Sequence, residues 1–144
     1  MKVHFDECLD RKKVLKIVPY LPALYAELDK LAPRLRGKWP KNVRCMDSKG
    51  IVEGRAKGAG HGYTYVNGPE IWLNRHMTWQ GYWLVLAHEN LHHAFPDATE
   101  SEINCLHVPR LYERVFGKKL SPAEGRRHGL GAPESGMGDR SYCR

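Results

Sequence analysis

The chain has 144 residues, with 23 Lys and Arg against 16 Asp and Glu, and a formal charge of +7. Its length suits one domain with a real core, and 42% hydrophobic residues with four Trp exclude a wholly disordered polymer. No stretch has the length and apolarity of a membrane span, and Met1 to Glu7 has no apolar leader core, so cytoplasmic action is the expectation.

In chain order, Val3 and Phe5 suggest a short strand, followed by a basic segment through Arg11, Lys12 and Lys13 to Val18. Pro19 and Pro22 break it. Leu24, Tyr25, Leu28 and Leu31 then recur at helical spacing until Pro33 ends the helix. A second basic cluster runs from Arg34 to Lys41, without the aromatic interleaving of a base-stacking surface, so nucleic acid is not the favoured partner. Residues 42–46 and 51–55 flank an Asp-Ser-Lys-Gly turn and read as a hairpin. Glycines loosen the chain at 57–60. Residues 62–66 and 70–74 read as two more strands around an Asn67-Gly68 turn. Either of these could form the sheet's edge.

A helix follows. The run from Trp79 to Ala87 is largely apolar, Asn74 or Thr78 could cap its start, and Phe95-Pro96-Asp97 stops it. Its second half contains His88-Glu89-Asn90-Leu91-His92, an HExxH string. Positions i and i+4 share a helix face, so His88 and His92 can present two imidazoles to one metal ion. Glu89 stands beside the first of them, where a carboxylate can take a proton from a water that the ion activates. A catalytic zinc site generally needs a third protein ligand. Thr99-x-x-Glu102 has the form of a capping box opening a further helix, which would turn Glu102 back onto the backbone and leave Glu100 for the metal. The rival assignment makes Glu102 the ligand and Glu100 a solvated residue favourable to the helix dipole. His93 points about 100° away from His92 and reads as a supporting or surface residue. His107 reads as an ordinary histidine. Asp97 is a candidate to hydrogen-bond a ligand imidazole.

The stretch from Leu86 to Glu100, with HExxH followed by Phe95-Pro96-Asp97 and Thr99-Glu100, resembles small phage and prophage zincin-like proteins; the resemblance extends to about Phe116. It implies a minimal gluzincin-type metallopeptidase, with His88, His92 and Glu100 as zinc ligands and Glu89 as general base. Pro109 departs from the pattern, because the second helix of such proteins usually runs uninterrupted, and it predicts a kink. The fold class that follows is α+β: a small twisted antiparallel or mixed sheet, an active-site helix, then a second ligand-bearing helix. Residues 1–120 form the expected domain, and 121–144, rich in Gly, Pro and charge, a loop-like tail.

The expected partner is a protein or peptide substrate, without a membrane. Tyr63, Tyr65, Tyr112 and His128 are oxyanion-donor candidates by residue type alone. Two alternatives compete with the peptidase: a zinc-stabilised phage protein that binds a host protein or nucleic acid, and a protease recruited to DNA by its basic surface. Cys8, Cys45, Cys105 and Cys143 form no CxxC pair, which argues against a zinc ribbon, and are expected as free thiols, with disulfides as the alternative.

Overall fold

A computed structural model describes residues 2–46, 51–52, 55–56 and 62–130. The expected turn at 47–50, the linker at 57–60 and the segment 131–144 lie outside the described residues. The architecture is α+β: a four-stranded mixed sheet with helices packed around one central helix.

The chain opens with β1 (His4–Phe5), then α1 (Arg11–Ile17), a 3-10 turn at Val18–Tyr20 and α2 (Leu21–Leu31). Asp10 caps α1 by accepting from the Lys12 and Lys13 amides. Pro22 falls in the first turn of α2, where its missing N–H costs nothing. Leu24, Tyr25 and Leu28 are buried as their spacing predicts, whereas Leu31 is exposed.

Strands β2 (Asn42–Met46), β5 (Gly62–Thr64) and β6 (Glu70–Asn74) join β1 in the order β1-β2-β6-β5. β1 and β6 both run parallel to β2, and β5 runs antiparallel to β6. The hairpin expected between 42–46 and 51–55 does not form. β3 (Ile51–Val52) pairs instead with β4 (Arg55–Ala56) as a separate ribbon. β2 instead takes β1 and β6 as parallel neighbours on its two edges, and Val43 and Met46 are buried on its two faces, as parallel strands covered on both sides are. The β5–β6 connection is the turn that Asn67-Gly68 predicts, with Asn67 at φ 68° and the Gly68 amide donating to Tyr65 O. Residues 70–74 are interior to the sheet, so β5 alone keeps the expected edge position.

The central element is α3 (Trp79–Ala94), capped by Thr78, whose hydroxyl accepts from the Gly81 amide. It is apolar nearly all round, as a helix with neighbours on every side must be. Tyr82, Trp83, Leu84, Leu86, Ala87 and Leu91 are fully buried, and α1, α2, β5, β6 and the later helices all pack on it. Each large apolar side chain buried there stabilises the fold by roughly 1.5–3 kcal/mol. Arg34 closes the far end, its guanidinium donating to the His93 and Ala94 carbonyls at 3.2 and 2.9 Å.

After α3 come α4 (Glu100–Glu102), a π-helical stretch at Ile103–His107, α5 (Val108–Phe116) and α6 (Pro122–Arg127). The interruption expected from Pro109 takes the form of the π turn, and Pro109 falls in the first turn of α5. Within the expected tail, Pro122–Arg127 is helical and Leu130 is buried in the main core. The free-thiol expectation is overturned: Cys8 is bonded to Cys45, Cys105 is also disulfide-bonded, and no free cysteine remains among the described residues. Register explains the first bridge, since β1 pairs with β2 and leaves Cys8 and Cys45 with Cα atoms 6.2 Å apart, within disulfide reach. No helix among the described residues is long and apolar enough to cross a membrane.

Candidate metal centre

The chain reverses sharply after α3. Pro96 disfavours a helical Phe95, which leaves the helix at φ −128°, ψ 75°. Four residues later Thr99 caps α4: its hydroxyl accepts from the Glu102 amide at 3.1 Å, and Glu102 Oε1 accepts from the Thr99 amide at 3.0 Å. The capping box is therefore formed in full. Glu102 is committed to it and exposed, while Glu100, the first helical residue, turns its carboxylate toward α3.

Three side chains meet there. His88 Nε2 lies 3.0 Å from Glu100 Oε2, His92 Nε2 lies 2.7 Å from Glu100 Oε1, and the two imidazole nitrogens are 3.0 Å apart. A tetrahedral ion with bonds of about 2.1 Å holds its ligand atoms about 3.4 Å apart, and one ligand atom from each of the three residues lies within 4.8 Å of the others. His88, His92 and Glu100 can thus hold a metal ion, and the donor set does not fix which one.

Without an ion, the three behave as a salt-bridged cluster. Burial pushes the His88 imidazole down. The hydrogen bond with Glu100, the charges of Glu89 and Glu100 and the Asn104 hydrogen bond outweigh it and hold its pKa up at about 9. Glu100 also suffers desolvation, which alone would raise its pKa, but its bonds to His88 and His92 hold it far below the carboxylate range.

The opposite face of His88 is fixed by a residue the sequence reading did not single out. His88 Nδ1 lies 2.6 Å from Asn104 Oδ1, and both groups are buried. An amide oxygen only accepts, so Nδ1 carries the proton and Nε2 faces the donor cluster. Asn104 follows Glu100 by four residues, one helical turn, which was the available signal. Asp97, the candidate for this part, is exposed in the turn instead.

Glu89 is buried, with Oε1 3.8 Å from His88 Nε2. Gly62, at the start of β5, passes directly over it. A Cβ at Gly62 would lie 2.2 Å from Val85 Cγ1 and 3.2 Å from Glu89 Cγ, so only glycine allows the strand to approach this closely.

His93 is neither a metal ligand nor a surface residue: it is buried and fastens the β5–β6 hairpin to α3. The Asn67 amide donates to Nδ1 at 3.3 Å, so Nε2 carries the proton and donates to Thr64 Oγ1 at 2.7 Å. Thr64 in turn donates to Glu70 O. Burial, then the neighbouring His92, lowers its pKa to about 4. His107 stacks on Phe95, with ring centroids 4.2 Å apart.

The four oxyanion candidates scatter. Tyr63 and Tyr65 pack with Trp72, on the sheet face opposite Gly62 and Thr64. Tyr112 joins an aromatic cluster with Trp83 and Phe116. His128 Nδ1 lies 2.9 Å from Thr78 Oγ1 at the start of α3, about 15 Å along the helix from His88 at 1.5 Å per residue.

No family model, curated protein or solved structure matches the chain.

Proposed function

We propose that the protein is a zinc-dependent metallopeptidase of zincin type, the class its HExxH segment resembles. The observation that supports this most is the convergence of His88, His92 and Glu100 on one point, with Glu89 buried beside it. Two imidazoles and a carboxylate form a ligand set suited to catalytic zinc, which leaves a fourth position for water. Zinc bound there would polarise water and a substrate carbonyl as a Lewis acid.

The chain's own groups supply the rest. Asn104 fixes the His88 tautomer, and the capping box holds Glu100 at the helix start. Glu89 takes the proton of the attacking water and returns it to the leaving nitrogen. β5 lies at the sheet's edge among the described residues, beside Glu89, where an extended peptide can pair with it. Recruitment to DNA draws less support, because Arg34 of the second basic cluster is engaged on the end of α3.

The test is Glu89→Gln against a mixed peptide library read by mass spectrometry. The wild type should cleave, lose activity to a chelator and regain it with zinc. Glu89→Gln should retain zinc and leave the library intact. Full cleavage by that variant would refute the assignment.

A further inference from the structure

We propose that the metal centre is redox-gated: its frame is stapled by the Cys8–Cys45 disulfide and carries a second disulfide at Cys105, and reduction by cellular thiols releases the metal. This rests on the metal-site reading above and adds the condition under which the site exists.

The first staple is Cys8–Cys45, which bridges a sequence separation of 37. Cys8 lies between β1 and α1, and Cys45 lies in β2. Beyond the apolar packing of Leu9, Phe5 and Val14 in the core, the polar ties along this seam are weak. β1 has two residues, with the His4 and Asp6 amides donating to Lys41 O and Val43 O. The Asp6–Arg44 ion pair is solvent-exposed and adds little. Yet the segment after Cys8 positions the site helix. Asp10 caps α1, and its own amide donates to Tyr82 Oη at 3.1 Å. Tyr82 then donates to Arg75 O just before α3, and α1 packs along α3. The disulfide therefore holds sheet, α1 and α3 in one arrangement.

A second disulfide ends on the other ligand-bearing element. Cys105, a residue of the π-helical stretch, is disulfide-bonded; it adjoins Asn104, which orients His88, and follows Glu100 by five residues. Each of the two helices that supply ligands thus has a disulfide on itself or on the segment that positions it.

The first bridge is open to attack, because Cys8 is exposed and Cys45 only half-buried. A thiolate of a glutathione-type thiol attacks one sulfur and forms a mixed disulfide. A second thiol displaces the first, so the protein disulfide and two RSH give two cysteine thiols and RSSR. Two electrons and two protons enter the protein, and the small thiol is oxidised. Cytosolic thiol pools drive this reaction forward, whereas extracellular and periplasmic conditions oppose it. The activity is accordingly off in a reducing cytosol and on after export or release, contrary to the cytoplasmic expectation.

The experiment uses the full chain with zinc, oxidised or reduced by a phosphine that binds zinc weakly, with free thiols counted. Zinc retention is read against a competing chelator and the unfolding midpoint by circular dichroism. Reduction should lower the midpoint by about 10 °C and release zinc to a chelator that does not strip the oxidised protein. Reoxidation should restore both. Cys8→Ser/Cys45→Ser should reproduce part of the loss without reductant; if that variant fails to fold, the titration of the wild type still decides. A fully reduced protein that keeps its zinc and midpoint would overturn the proposal alone. An oxidised protein that binds no zinc would overturn the metal reading on which it rests.

Discussion

Gly62→Ala tests how tightly the edge strand is set against the site helix. The added Cβ would lie 2.2 Å from Val85 Cγ1, far inside van der Waals contact, with Glu89 Cγ at 3.2 Å and Trp72 O at 3.3 Å. Val85 is 4% exposed and has little room to retreat, so β5 must lift from α3 or Val85 must leave its rotamer. Overpacking of this kind costs about 1–3 kcal/mol. Lifting β5 also strains the Thr64–His93 bond at 2.7 Å, so the hairpin should loosen with it. Urea unfolding should show a loss of unfolding free energy of that size, carried by a lower midpoint at an unchanged slope. The double variant Gly62→Ala/Val85→Ala should recover more than the sum of the single changes allows, because the clash is gone. Wild-type stability in Gly62→Ala, or strict additivity in the double variant, would refute the close approach.

Asn104→Ala removes the acceptor for His88 Nδ1 and should weaken zinc binding by roughly 10–100-fold while the helix content stays the same, as read by chelator competition and circular dichroism. The pH dependence follows from the metal-free His88, whose pKa stands at about 9. Zinc needs the neutral ring, so binding displaces a proton and affinity should rise about tenfold per pH unit from 7 toward 9. The metal-free fold should show the reverse trend. A raised histidine pKa stabilises fully below the unfolded value near 6.5, and that stabilisation fades as pH rises through 9. Isothermal titration in buffers of different ionisation enthalpy measures the released proton; none released at pH 7 would contradict the assignment.

Much of the site was legible because it is local. HExxH, the Pro-Asp stop and Thr99-x-x-Glu102 all act over one or two helical turns, and together they place Glu100 by dihedral preference and capping alone. Thr78 and the Asn67-Gly68 turn were legible for the same reason. The sheet was not, because pairing of β2 with β1 and β6 joins residues far apart in sequence, and the adjacent 51–55 segment competes for the same strand pattern. The disulfide follows from that non-local register, so cysteine spacing did not reveal it. Asn104 and Gly62 matter only through what packs against them, His88 in one case and Val85 with Glu89 in the other.

In the proposed zinc site, Glu100 and not its capping neighbour Glu102 joins His88 and His92. The most direct test of this assignment is the zinc content of oxidised wild type, Glu100→Ala and Glu102→Ala, measured by atomic emission after equilibration with a weak chelator. One zinc per chain is expected in the wild type, none in Glu100→Ala, and retention in Glu102→Ala with a lowered unfolding midpoint from the broken capping box. Zinc absent from the wild type, or lost from Glu102→Ala and kept by Glu100→Ala, would contradict it.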